Sequence, residues 1–395
     1  MNQQETFDVV VIGGGPSGAT VANDLATRGH SVLLLDKAGR TKPCGGAIPP
    51  RLVRDFNIPD SLLCAKITSA RMISPSGETV DMPIGNGFVG MVDRDVFDEF
   101  LRDRAEQNGA TRKTGMFSKL ERDDSGMQVV RYRAKDGSDV TVRARIVVGA
   151  DGANSAVGRQ AIPNAGKTKF VFAYHEIVKA PAESSTAYDK SRCDVYYDGK
   201  TSPDFYSWVF PHGKTMSIGN GSAHKGFSLR NAVADLRQRN NLEHLETVRH
   251  EGAPIPLKPL KKWDNGRDVI VIGDAAGVVA PASGEGIYYA MACARFAADA
   301  IEKTLETGNG KCLAAARKTF MKAHGRVFMV LGIMQYFWYS SDKRRERFVA
   351  MCKDKDVQEL TWQAYMNKEL VRSKPIAHVK IFFKDLGHLV GIGTP

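Results

Sequence analysis

The chain of 395 residues carries six cysteines (Cys44, Cys64, Cys193, Cys293, Cys312 and Cys352), and they form no CxxC pair and no zinc-ligand spacing. No metal centre is therefore expected, and structural disulfides are not expected either. The opening MNQQETFDVVVIGGG lacks a basic n-region and a cleavage-like site. It does not read as a secretory signal, and a cytosolic, reducing compartment is the expectation. No helix-turn-helix, zinc finger or RNP-like string is present, which excludes the common nucleic-acid modules. There is no internal repeat and no low-complexity tract. With 43% hydrophobic and 25% charged residues, disordered and collagen-like classes are excluded as well.

The charge is unevenly placed. The net charge is +11, yet Lys311 to Pro395 alone holds 16 Lys/Arg against 7 Asp/Glu. Inside this basic stretch, Val327 to Tyr339 (VFMVLGIMQYFWY) is apolar on nearly every face. Thirteen residues are too few to span a bilayer, which needs about 20. Arg317, Lys318, Lys322 and Arg326 stand before it, and Lys343-Arg344-Arg345-Glu346-Arg347 after it. Such a segment suits a helix lying on an anionic membrane surface, or one capping a hydrophobic tunnel, or one buried against the rest of the fold.

Phe7 to Ile12 is a short β-branched run that predicts a buried parallel strand. Gly13-Gly14-Gly15-Pro16-Ser17-Gly18 follows directly and opens a helix over Pro16 to Thr27, and a second strand, Ser31 to Leu35, leads to Asp36 and Lys37. This is GxGxxG in its βαβ setting. Gly13 permits the tight turn, Gly15 lets the backbone approach a pyrophosphate, and Gly18 lets helix and strand pack closely. The start of the helix at Pro16 and Ser17 supplies N–H groups and partial positive charge to phosphates. Asp36, 23 residues after Gly13, stands where an acid receives ribose hydroxyls. The unit predicts dinucleotide binding without distinguishing NAD from FAD.

Further along, a helix is expected over Val92 to Gly109, a pair of strands over Met127 to Val148 around the turn Lys135-Asp136-Gly137, and short strands from Lys167 to Ile255 broken by a helix at Leu229 to Arg239. Asp268 to Ile272 returns to a core strand, Ser283 to Lys303 reads as a helix rich in small residues, and Lys311 to Pro395 reads mainly as helix.

Two later segments carry a resemblance. RIVVGADGANSAVGR (Arg145 to Arg159) resembles the Asp-Gly signature of the flavoprotein hydroxylase superfamily, and VIGDAAGVVAPASGEGI (Val271 to Ile287) its second Gly-Asp signature. The resemblance implies FAD, held by Asp151 and Gly152 in the first segment. In the second, Gly273 and Asp274 lie at the ribityl chain, with Gly284, Gly286 and Ile287 at a second helix start. Arg94 begins a helix where this superfamily often places an arginine near the cofactor; an exposed helix-start arginine is the alternative. Pro43-Cys44-Gly45-Gly46 and Tyr206-Ser207-Trp208-Val209-Phe210-Pro211 together resemble the geranylgeranyl reductase family, with its Cys-Gly-Gly and YxWxFP elements. The likeness is greatest to the bacteriochlorophyll-pathway reductases of phototrophic bacteria.

That resemblance implies an α/β fold: a Rossmann-like FAD-binding domain with an inserted, mainly antiparallel substrate lobe and a helical C-terminal segment. The expected division is 1–75, 93–166 and 263–310 for the FAD-binding domain, 76–92 and 167–262 for the substrate lobe, and 311–395 for the C-terminal segment. It implies NADPH as reductant and a geranylgeranyl group, on bacteriochlorophyll a or as the diphosphate, as substrate. Three double bonds would be reduced to give phytyl, in a protein peripheral to the inner or photosynthetic membrane, with a pigment synthase as a possible partner. Gly45 and Gly46 would pass near the flavin. Cys44 would gate the site or assist protonation, or be only a small residue in a tight loop. Tyr206, Trp208 and Phe210 alternate to one side of a strand, as either the lining of a polyprenyl tunnel or the core of a sandwich. No proton donor stands out; His175, Tyr206 and Cys44 are candidates. With no second GxGxxG, NADPH would dock transiently. The rivals are a flavin monooxygenase or halogenase, the latter expecting WxWxIP where this chain has Tyr206 and Phe210, and a non-enzymatic prenyl carrier on the same fold.

Overall fold

In the computed structural model the described residues are 5–368, apart from 38, 40, 41, 186 and 187. The chain divides into two units, each assembled from three stretches: 1–42, 94–171 and 254–325 in the first, and 43–93, 172–253 and 326–395 in the second.

The first unit is built on a parallel sheet. Thr6–Ile12 lies between Val32–Asp36 and Asp139–Gly149, parallel to both. The sheet extends outward to Thr111–Arg122 on one side and Val269–Val271 on the other, again in parallel. Val9, Val10 and Val11 are fully buried, as expected of a strand covered on both faces. The helix Pro16–Thr27 packs on Thr6–Ile12 and Val32–Asp36, Arg94–Gln107 packs on Thr111–Arg122 and on Pro16–Thr27, and Ile287–Thr307 packs against Pro16–Thr27. The far ends of Thr111–Arg122 and Asp139–Gly149 run beyond it and pair antiparallel with Gln128–Ala134.

The second unit holds a seven-stranded sheet, ordered Thr247–Pro256, Phe170–Lys179, Thr215–Ser222, Ser207–His212, Arg192–Tyr196, Ser69–Ile73, Thr79–Pro83. Within it, Arg192–Tyr196 runs parallel to Ser69–Ile73, while Phe170–Lys179 with Thr215–Ser222, Thr215–Ser222 with Ser207–His212, Ser207–His212 with Arg192–Tyr196, and Ser69–Ile73 with Thr79–Pro83 are antiparallel. The helix Leu229–Arg239 covers one face, where Val178, Val209, Met216, Ile218, Val233 and Leu236 make a closed core. A smaller sheet joins Ala47–Ile48, Val89–Met91 and Ala65–Ile67.

Several expectations shift. The strand Thr111–Arg122 adds to the expected elements; its exposed charged residues hide the period. The helix expected from Ser283 begins at Ile287, leaving Gly284 and Gly286 in the approach to it. Residues 43–75 group with the second unit, since Ser69–Ile73 pairs with Arg192–Tyr196 there. The basic C-terminal segment forms no unit of its own: the helix Ala314–Trp338 passes from one unit's stretch into the other's, followed by Asp342–Met351 and Lys355–Asn367. Residues 369–395, also read as helical, lie outside the described residues. Among the described residues no helix is long and apolar enough to cross a membrane.

Candidate functional site

The glycine turn of the first unit is shaped by sterics that differ from one glycine to the next. Gly13 has φ +105°, and a Cβ there would meet Ala150 O at 2.3 Å. A Cβ on Gly18 would meet Gly13 O at 1.8 Å, so this glycine serves helix–strand packing. Gly15 is otherwise: a Cβ there would meet nothing within 4 Å. The protein itself does not demand a glycine at 15, but close approach of a pyrophosphate does. Gly15 is also the N-cap of Pro16–Thr27, with no side-chain cap, which leaves the first N–H groups at Ser17 and Gly18 for an anion. Gly286 caps Ile287–Thr307 equally without a side chain, giving the unit a second such helix start.

The carboxylates around this cradle have distinct tasks. Asp36 Oδ2 accepts from Gly14 N at 2.6 Å, and Arg102 Nη1 donates to Gly14 O at 3.1 Å. Arg102 thereby braces the turn from the helix Arg94–Gln107, a contact no sequence period reveals. Lys37 follows at the exposed end of the strand. Asp274, in the short turn Gly273–Ala276, pairs with Lys42, and Gly273 and Gly284 both have positive φ. Asp151 accepts from Ser155 Oγ (2.5 Å), Ala156 N (2.6 Å) and Val157 N (3.1 Å), so its carboxylate caps the helix Ala156–Ala161 and fixes its own loop. Gly152 follows with φ +84° and open space around it. Arg94 is buried, not exposed, and forms a two-pronged pair with Asp98 at 2.7 Å for both bonds. The open glycine, two uncapped helix starts and the acid at the end of the second strand fit FAD, a dinucleotide with a pyrophosphate at its centre.

In the second unit, the loop Cys44-Gly45-Gly46 is packed by the end of the strand Ser207–His212. A Cβ on Gly45 would lie 3.3 Å from the Phe210 ring, and one on Gly46 (φ +73°) would lie 2.5 Å from both His212 Cε1 and Val92 O. Gly46 N donates to Cys44 Sγ at 3.4 Å, and Val92 N donates to Gly46 O at 2.9 Å. Cys44 is half-buried. His212 Nε2 lies 3.0 Å from Gly45 O and Nδ1 lies 3.1 Å from Asp93 Oδ1, with Cys64 Sγ at 3.6 Å from the same nitrogen. The hydrogen bond from His212 holds the Asp93 carboxyl below its usual range. Cys64, Asp93 and His212 bring ligand-type atoms together, but both ring nitrogens of His212 are committed to oxygen acceptors.

The aromatics of the YxWxFP element do share a face. Ring centroids are 5.8 Å apart for Tyr206 and Trp208 and 6.1 Å apart for Trp208 and Phe210, while Phe205 stacks on Tyr206 at 4.3 Å. Tyr206 also approaches Tyr197 at 6.3 Å, extending the apolar ladder. The opposite side of the strand sends Val209 into the closed core under Leu229–Arg239. Trp208 Nε1 donates to Ser217 Oγ at 3.0 Å, and His175 Nδ1 lies 2.9 Å from the same hydroxyl. His175 Nε2 lies 3.0 Å from Glu251 Oε2, and Arg249 Nε donates to Glu251 Oε1 at 3.0 Å. Burial pushes the Glu251 carboxyl up, but its bonds to His175 and Arg249 hold it below the usual range. His175 is thus a buried orienter of the Trp208–Ser217 pair. Ser217, Glu251, Asp93 and His212 carry no signal in the sequence: strand register brings Ser217 to Trp208, and only the folded chain brings Asp93 to His212.

Comparison with known proteins agrees with this layout. The FAD binding domain family matches residues 65–319, and the FAD dependent oxidoreductase family matches residues 8–52. Geranylgeranyl diphosphate reductase of Rhodobacter capsulatus is 58% identical over 98% of this chain and 99% of its own length. The protein of the same name from Synechocystis is 35% identical over 97% of each chain. Among solved structures, a geranylgeranyl bacteriochlorophyll reductase-like protein from Thermoplasma acidophilum superposes with a TM-score of 0.82, at 22% identity, over 95% of this chain and 100% of its own. A flavin-dependent brominase superposes with a TM-score of 0.74, at 19% identity, over 96% and 99%. Likenesses at these identities establish the fold.

Proposed function

Given that the chain belongs to the geranylgeranyl reductase family of FAD-binding oxidoreductases, we propose that it hydrogenates three double bonds of a geranylgeranyl group, as the diphosphate or esterified to bacteriochlorophyll a, to give phytyl, with NADPH as reductant. The observation that carries the reading is the row of rings Tyr206, Trp208 and Phe210, which runs from just ahead of the strand Ser207–His212 into it. A polyprenyl chain offers no polar handle along its length, so a row of rings is the surface that can hold it.

Bound FAD supplies the electron pair that reduces the alkene. The chain's own residues do the rest. Gly15, Ser17, Gly18 and the helix start at Gly286 and Ile287 hold the pyrophosphate, Asp36 takes the ribose, and Gly273 and Asp274 take the ribityl chain. Tyr206 and Trp208 fix the isoprene unit and exclude water. An isolated alkene has no carbonyl to absorb charge, so each reduction also needs a proton. Cys44 sits in a loop held rigid by Gly46 N and Val92 N, and we assign to it gating of the prenyl path or delivery of that proton. Without a second GxGxxG, NADPH docks only transiently. Contact with an anionic membrane surface rests on Met329, Ile333 and Tyr336, which are 60%, 61% and 86% exposed on one face of Ala314–Trp338 and stand between basic clusters.

The test is to supply the yellow purified protein with NADPH and either geranylgeranyl diphosphate or geranylgeranylated pigment. Substrate-dependent NADPH oxidation with one of them is expected, and the saturating substrate identifies the preferred form. A flavin-free protein, or NADPH oxidation indifferent to both substrates, contradicts the reading.

A further inference from the structure

His212 ends the strand Ser207–His212 and is buried, and both of its ring nitrogens face polar partners. Nε2 faces the carbonyl of Gly45, an oxygen that only accepts, so Nε2 carries a proton. Nδ1 faces the Asp93 carboxylate, and Cys64 Sγ flanks it while donating to Met91 O at 3.3 Å. Arg249 also acts on Asp93, favouring its carboxylate. The Gly46 backbone lies so close to the imidazole that a Cβ would strike Cε1 at 2.5 Å. His212 therefore both donates to the loop and fills the space beneath it. The loop holds the Cys44 thiol in turn, through Gly46 N.

We propose that His212 is a positioning residue, whose Nε2–H bond to the Gly45 carbonyl sets the conformation of the Cys44-Gly45-Gly46 loop and so the placement of the Cys44 thiol. The proposal rests on the reading of Cys44 given above. It adds a functional residue outside both family elements, one position beyond the proline of YxWxFP.

Two isosteric variants separate this bond from the bulk of the ring. In His212→Gln the amide nitrogen falls where Nε2 stood and can still donate to Gly45 O. In His212→Asn it falls where Nδ1 stood, keeping Asp93 and losing Gly45. The first readout is the rate at which iodoacetamide alkylates Cys44 in the FAD-loaded protein, followed by peptide mass mapping. The second is kcat and KM for the geranylgeranyl substrate. His212→Asn is expected to alkylate Cys44 on the order of tenfold faster and to lose about tenfold in kcat with KM within about twofold, the size of one hydrogen bond. His212→Gln is expected to restore most of both. Equal behaviour of the two variants, or wild-type thiol reactivity in His212→Asn, would overturn the proposal. So would one equivalent of zinc bound through His212. Thiol reactivity is independent of turnover, so an inactive wild type defeats the reductase reading alone, while an unchanged alkylation rate defeats the role of His212 alone. If either variant loses FAD, the alkylation of Cys44 in the other, against wild type, still decides.

Discussion

Trp208 donates its indole N–H to the hydroxyl of Ser217 at 3.0 Å, and that hydroxyl is fully buried. The bond fixes the plane of the central ring in the aromatic ladder, and His175 holds Ser217 in place from its other side. Ser217→Ala removes the acceptor while leaving the buried indole N–H, which costs about 1–3 kcal/mol in stability. Urea denaturation of the FAD-loaded protein checks this, and KM for the prenyl substrate is expected to rise with it. Adding Trp208→Phe to Ser217→Ala removes the stranded donor as well, and its further cost is expected to be smaller than that of Trp208→Phe in the wild-type background.

Gly15 and Gly18 make opposite predictions although they belong to one motif. Alanine at 18 meets Gly13 O, whereas alanine at 15 meets no protein atom. Gly15→Ala is therefore expected to fold with near wild-type stability in the apoprotein and to lose FAD affinity by at least about tenfold through crowding of the pyrophosphate. Gly18→Ala is expected to lose both. Flavin content after gel filtration, together with the apoprotein's melting temperature, distinguishes them.

Arg94 and Asp98 are 5% and 9% exposed at their side chains and bonded through two oxygens. Arg94→Ala strands a buried carboxylate, at a cost of about 3–5 kcal/mol. The double replacement Arg94→Met with Asp98→Leu is expected to recover most of that, as chemical denaturation of the single and double variants shows.

The expectation of dinucleotide binding came from residues near in sequence, and it is the part of the site most legible there. Gly13 to Gly18 and Asp36 work through local sterics and one strand–helix–strand turn. The alternation of Tyr206, Trp208 and Phe210 was legible for the same reason, since period two puts them on one face. What decides their surroundings was not. Ser217 reaches Trp208 through antiparallel register, in which Trp208 stands opposite Gly219, and His175 reaches Ser217 from a third strand. Asp93 and His212 are 119 residues apart. Arg94 read equally well as an exposed helix-start residue because its partner four residues on is an ordinary surface pair in sequence; only burial reveals it as a sealed ion pair.

Acid is expected to act on Asp93. The bond from His212 lowers its carboxyl in the folded state below the unfolded value of about 3.9. The stabilisation is thus complete above the unfolded value and disappears as pH falls through the lowered one. The melting temperature of wild type is expected to exceed that of Asp93→Asn at neutral pH, and the two are expected to converge in strong acid. A gap that widens with acid contradicts this.

Met329, Ile333 and Tyr336 form an exposed apolar face with Arg326 at its near end. Sedimentation with vesicles containing anionic lipid is expected to retain the protein at low salt and to release it as salt rises. Met329→Glu with Ile333→Glu is expected to weaken retention by at least about fivefold with FAD content unchanged. Equal retention on zwitterionic vesicles contradicts the basic contribution.

Reduction and oxygenation on this fold diverge at one observable, the fate of the prenyl chain without oxygen. The decisive measurement is product mass after anaerobic turnover with NADPH and a geranylgeranyl substrate. The expected product has gained six hydrogens, with three double bonds lost and no oxygen incorporated. A product formed only in air, or one carrying oxygen, contradicts the reductase assignment.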